Sequence, residues 1–298
     1  MKYRLIKIHV SSGRSENLAT FETHLLPSVL HRIDNFIFLV LFKSNHCIGM
    51  INKNVMNVSW LGLANNRGER NGAGIFASLD YPSSICRSKK GNICYVVESG
   101  GAKIRRVDVY TGYMSKIFGD VIEKKMDKYI GNRKSIENIE TDCCIGENDS
   151  IYWASSHLHR GFKFFNSDVV SLVGNGKAGY TVSSSTSDCM VNYPSGIAIN
   201  GKDVYMADSG NHCIRKLSKD SFCVVAGNPL KAGDEDGLVS LLNDPRKLKI
   251  DKNILYFLDG KKIKYMALNN KNIGTVYPSD KIIAMDVDNG NLFVLEQG

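Results

Sequence analysis

No apolar run in this chain is longer than the seven residues 36–42, too short to cross a bilayer as a helix. Residues 1–10 alternate charged and apolar side chains, so the continuous apolar stretch of a secretory signal is missing too. These absences set the expectation of a soluble protein, cytoplasmic or otherwise intracellular, and secreted only if a leader lies outside this sequence. The eight cysteines contain no CxxC pair and the seven histidines no HExxH, so neither a zinc ribbon nor a zinc-protease site can be drawn. No GKS or GKT phosphate loop occurs, and the glycine turns at 68–72 and 174–176 open no helix of a strand–helix–strand unit. Gly196 lacks the surroundings of a serine-hydrolase elbow. Convincing helical periodicity is scarce throughout.

What is present is a folding composition: 298 residues, 43% hydrophobic and 9% aromatic, which excludes a wholly disordered chain. Lys and Arg total 38 against 30 Asp and Glu, a net charge of +8. That surplus permits nucleic acid, an acidic membrane surface or an acidic protein as partner, without selecting one.

Short apolar runs bounded by Gly, Asn, Asp and Ser recur along the chain, which is an all-β signature. Equivalent strands are placed at 36–40, 94–97, 151–154, 204–207, 255–258 and 292–295. Their starts are roughly 58, 57, 53, 51 and 37 residues apart, and such a period with four short strands per unit describes propeller blades. The expectation is an all-β, six-bladed β-propeller of four-stranded antiparallel blades, one domain over residues 1–298, with five or seven blades as the neighbouring solutions.

The clearest unit runs from Pro194 through Val204, Ala207-Asp208, Asn211-His212 and Ile214-Arg215 to Ala226-Gly227. Asp208 and Asn211 suit bonding to their own loop backbone, and Arg215 is placed to pair with Asp208, so this trio reads as structural loop anchors. Glu98 occupies the place of Asp208 in an earlier unit. Looser copies start at Pro82 and Pro245, where proline can precede the first ladder bond. On these residues the unit resembles an NHL repeat. The resemblance implies a propeller whose relatives include RNA-binding modules, protein-interaction modules and sensors, with lyases and lactonases on similar folds.

A closed ring has no exposed terminal edge, so the strand at 3–10 is expected to complete the last blade and to bring the termini together. An excursion at 121–130, with Ile122, Met126 and Ile130 about one helical turn apart, reads as a packed surface element. The Ser- and Thr-rich stretch 180–190 reads as an exposed inter-blade loop. Cys86 with Cys94, and Cys213 with Cys223, flank turns and can face across adjacent strands, which leaves a disulfide open in each pair.

For function, the first reading is a non-enzymatic propeller acting as a protein-interaction scaffold, with no cofactor and no catalytic residue assigned. An alternative is RNA binding by a basic face drawn from Lys89, Lys90, Arg105, Arg106, Lys216, Arg246, Lys247, Lys261 and Lys262, with Arg133-Lys134, Lys219, Lys249 and Lys264 as further basic residues near blade turns and Tyr81, Tyr193 or Tyr256 for stacking. A further alternative is an enzyme with a metal in the central channel, for which His157 and His159 are the most closely spaced histidines. Partner identity and oligomeric state have no sequence signature.

Overall fold

The computed structural model describes residues 1–54, 57–98, 103–117, 141–181, 185–219 and 221–298. Along the chain, β1 (Lys2–His9) and β2 (Ser15–Glu22) form a hairpin. The next blade is β3 (Val29–Arg32), β4 (Ile37–Phe42), β5 (Cys47–Asn52) and β6 (Asn57–Leu61). A two-residue strand β7 (Gly72–Ala73) then precedes β8 (Pro82–Arg87), β9 (Ile93–Glu98), β10 (Lys103–Asp108) and β11 (Tyr113–Lys116). Further blades are β12 (Thr141–Ile145) with β13 (Ile151–Ser155), β14 (Arg160–Phe165) and β15 (Asp168–Val173); β16 (Pro194–Asn200) with β17 (Asp203–Asp208), β18 (Cys213–Ser218) and β19 (Ser221–Gly227); and β20 (Pro245–Asp251) with β21 (Ile254–Asp259), β22 (Lys262–Ala267) and β23 (Ile273–Pro278). Finally β24 (Ile282–Asp288) and β25 (Asn291–Gln297) join the N-terminal hairpin in the order β2-β1-β25-β24. The fold is a six-bladed, antiparallel β-propeller.

The described residues divide into two compact units, one with the residues up to 117 and Lys281–Gly298, the other with residues 141–280. In the first, the blades meet through Leu39, Leu41, Ile48, Ile85, Val96 and Val107, all 0% exposed. In the second, Ile214, Leu242, Leu255 and Phe257 do the same. Each such side chain contributes about 1.5–3 kcal/mol by leaving water. Second strands are covered on both faces, which is why Ile37–Phe42 (IFLVLF) and Ile254–Asp259 (ILYFLD) are nearly continuous apolar runs. Outer strands alternate instead: Phe222 of β19 is buried while Ser221 and Cys223 are exposed.

All six second strands lie where the periodicity places them, and Pro82, Pro194 and Pro245 each open a first strand. Closure uses more chain than expected. Both β1 and β2 complete the last blade, Leu5 facing Leu295 in the β1–β25 ladder, and the Gly298 N–H donates to the Lys2 carbonyl (2.8 Å). The blade of β8–β11 gains β7 as a fifth strand against β11. Neither cysteine pair is bridged, because the register sets Cys86 against Tyr95, Arg87 against Cys94, and Lys216 against Cys223. The excursion at 121–130 and Arg133-Lys134 lie outside the described residues.

Candidate functional site

In four of the six blades the third residue of the third strand is a cation that pairs with an acidic residue at or near the end of the second strand. In the blade of β16–β19 this residue is Arg215, and it faces Asp208, the last residue of β17; both side chains are 0% exposed, with Nη1 and Oδ2 3.4 Å apart. Asp208 also accepts from the Asn192 N–H (2.6 Å) and the Asn211 side-chain amide (3.0 Å). Arg215 donates to the carbonyls of Met190 (3.0 Å), Thr181 (2.9 Å) and Phe222 (3.3 Å), and its guanidinium lies over the rings of Phe222 (3.9 Å) and Tyr180 (5.1 Å). Thr181 and Met190, read as part of an exposed loop, therefore wrap a buried cation. Burial pushes the Asp208 carboxyl up to about 6, against the pull of Asn211, Asn192 and Arg215.

The same construction recurs. Glu98 ends β9, accepts from the Asp80 N–H (3.1 Å) and lies 3.5 Å from Arg105, the third residue of β10. Burial raises Glu98 to about 8, with Arg105 opposing. Asp259 ends β21, accepts from the Asn243 N–H (2.7 Å) and lies 3.3 Å from Lys264, the third residue of β22. Lys264 is fully buried and also meets Asp234 (2.7 Å) and Asp236 (3.2 Å). Arg4, third in β1, pairs with Glu296 (3.3 Å). A buried charge is tolerated where a counter-charge and hydrogen bonds accompany it, as they do for Arg215 with Asp208.

Two histidines tie one blade to the next. His46, His159 and His212 each follow a tight turn with left-handed backbone (φ 56°, 47° and 53°). His46 Nδ1 accepts the Tyr81 N–H (3.1 Å) and His159 Nδ1 the Tyr193 N–H (3.2 Å), just before the prolines that start the next blades. Burial lowers the pKa of His159, with His157 adding to the effect. At Gly227 (φ +79°) an added Cβ would lie 2.3 Å from the His212 carbonyl, so glycine is required where the outer strand closes on that turn. Asp142 of β12 makes another tie, accepting from the N–H groups of Ile197 and Leu248 (both 3.2 Å). Among the described residues no three His, Cys, Asp or Glu side chains gather as a metal site.

The candidate basic residues stand in different local settings. Arg105 is buried against Glu98. Lys89 and Lys90 are exposed in the turn from a first to a second strand, and Arg106 is exposed on β10. In the other unit, Lys261 is exposed and Lys262 pairs with Asp234, both at a turn from a second to a third strand. Lys216 pairs with Asp203 (2.6 Å), Arg246 lies 3.8 Å from Asp244, and Lys247 donates to the Thr141 carbonyl (2.9 Å). Of the tyrosines proposed for stacking, Tyr256 is 1% exposed and Tyr193 57%.

Residues 191–217 match the family model of the NHL repeat. No curated protein sequence matches the chain. Among solved structures, it is similar to a chain of the nidogen/laminin complex (10% identity, 93% of this chain and 94% of that chain, TM-score 0.57). It is also similar to virginiamycin B lyase from Staphylococcus aureus (13%, 96% and 85%, TM-score 0.55). A third is an auxiliary nutrient binding protein from Bacteroides ovatus (13%, 96% and 63%, TM-score 0.57). At these identities the likeness is one of fold. Among the described residues no helix is long and apolar enough to cross a membrane.

Proposed function

We propose, from an NHL repeat set in a six-bladed β-propeller, that this chain is a non-enzymatic scaffold that holds another protein on exposed apolar side chains. In this reading residues 1–298 form one propeller domain. The main support is a patch in the first unit, where Phe76 is 70% exposed, Ile75 50%, Leu63 49% and Tyr113 47%. Their backbones are tied together. The Gly62 N–H donates to the Gly74 carbonyl (3.0 Å), the Gly74 N–H to the Gly112 carbonyl (3.1 Å), and Tyr113 pairs with Ala73. Apolar side chains on a fixed backbone lose little freedom on docking, and a cluster of them rimmed by Arg70, Glu69 and Lys116 has the make-up of a protein contact.

The fold alone does not choose the function, since similar chains occur in a nidogen/laminin complex and in a lyase. RNA binding draws on the charge surplus, but the burial of Arg105 and the ion pairs on Lys216 and Lys262 leave less free charge than the composition promises. The test is a salt titration of the full chain against mixed single-stranded RNA, run beside capture of protein partners by chemical cross-linking. Protein cross-links that disappear with Phe76→Ser, and RNA binding no stronger than that of an unrelated basic protein, are expected. RNA binding that weakens log-linearly with salt and is lost with Lys261→Ala would replace this reading.

A further inference from the structure

The blade of β3–β6 breaks the pattern of buried ion pairs in a way that opens a cavity. Phe42 ends β4 where Asp208 ends β17; each is followed by a three-residue turn, a left-handed histidine and a cysteine that starts the third strand. The third residue of that strand is Gly49 here and Arg215 there. Carboxylate and cation are thus replaced by a phenyl ring and a hydrogen atom. An added Cβ on Gly49 would meet Phe42 Cε2 at 3.0 Å, Val58 at 3.3 Å and Trp60 at 3.5 Å. Beyond it lies a cavity of about 240 Å³ walled by Phe21, Phe42, Ile51, Val58 and Trp60, with Glu22 at its lining.

The template for its occupant is in the same chain. The Arg215 guanidinium lies over the rings of Phe222 and Tyr180 and donates to carbonyls of the segment before its blade. The vacated place in the β3–β6 blade keeps aromatic walls, Phe42 and Trp60 being 5.5 Å apart and tilted by 50°, beside residues 21–24 of the segment before that blade. It has exchanged the buried Asp for an exposed Glu22. Planar guanidinium suits aromatic faces and a carboxylate better than a compact, strongly hydrated ammonium does.

We infer that this cavity binds an arginine side chain supplied by a partner polypeptide, its guanidinium lying among Phe21, Phe42 and Trp60 and paired with Glu22. The inference rests on the protein-interaction reading, and it gives that interaction an anchor residue. Lys2, opposite Glu22 in the β1–β2 ladder, and the Met1 ammonium, which donates to the Thr23 carbonyl (2.9 Å), compete for the same rim and keep the affinity of an isolated arginine modest.

The test is calorimetric titration of the full chain with N-acetyl-L-arginine methylamide, and with the matching citrulline and norleucine compounds. The arginine probe is expected to bind with a Kd of about 1 mM, at least about tenfold more tightly than the uncharged analogues. Glu22→Gln, on an exposed side chain, is expected to weaken it about fivefold and Gly49→Ala, which fills the floor, about tenfold, with thermal unfolding recorded to show that both variants fold. Absence of arginine binding, equal binding of norleucine or citrulline, or an affinity unchanged in Glu22→Gln would each overturn the inference. Cross-linking to a partner with no arginine binding would leave the scaffold reading in place without this pocket, whereas arginine binding with no captured partner would do the reverse.

Discussion

Removing one member of the Asp208–Arg215 pair should cost far more than its modest geometry suggests. Asp208→Leu leaves a guanidinium with 0% exposure lacking its carboxylate, and strips the Asn192 N–H and the Asn211 amide of their acceptor. An uncompensated buried charge costs about 3–5 kcal/mol, and solvent screening gives no relief at this depth. Arg215→Met leaves the carboxylate equally stranded and three carbonyls without their donor, a similar loss. The double variant Asp208→Leu with Arg215→Met has no stranded charge, so its loss should fall short of the sum by about 2–3 kcal/mol. The β3–β6 blade, with Phe42 and Gly49 at these places, shows that a blade of this chain stands without the pair. Urea unfolding followed by circular dichroism measures all three variants. Losses that add to within about 0.5 kcal/mol would refute the reasoning, since they would mean that each side chain acts alone.

Other outcomes follow from the same geometry. Glu98, raised to about 8 by burial, holds its proton in the folded protein at pH values where the unfolded chain has released it, so stability should fall as pH rises from 6.5 to 8. Urea midpoints across that window should show the fall in the parent and lose it in Glu98→Gln; that window lies above the lowered His159, whose effect has the opposite sign. His46→Ala removes the acceptor of the Tyr81 N–H and should cost about 1–3 kcal/mol, measured by thermal unfolding. Cys223 is exposed, whereas burial raises the Cys47 thiol to about 12, so a thiol reagent on the native protein should label Cys223 first, as read by peptide mass spectrometry.

What could be read from the sequence was whatever repeats because of burial. The second strands are covered on both faces, and IFLVLF or ILYFLD announce that without context. The outer strands carry weaker patterns: Ser15–Glu22 (SENLATFE) shows little alternation, so β2 went unforeseen and closure was drawn with one strand instead of two. The ion-pair position was legible at Asp208 and Arg215, but Arg105 was placed on a surface because an arginine beside Arg106 looks solvated until Glu98 is seen across the strand. A shared Asn-His-Cys-Ile at 45–48 and 211–214 carries the histidine turns, and it would have led to Gly49 as the odd residue of the set. The Asp142 ties join strands 55 and 106 residues away, and no local pattern encodes them.

The scaffold reading is tested most directly by comparing cross-linked partners of the parent chain with those of an Ile75→Ser, Phe76→Ser double variant, each with and without ribonuclease. The expected result is a protein partner retained by the parent, lost by the variant and indifferent to ribonuclease. Partners held equally by both chains, or released by ribonuclease, would contradict it.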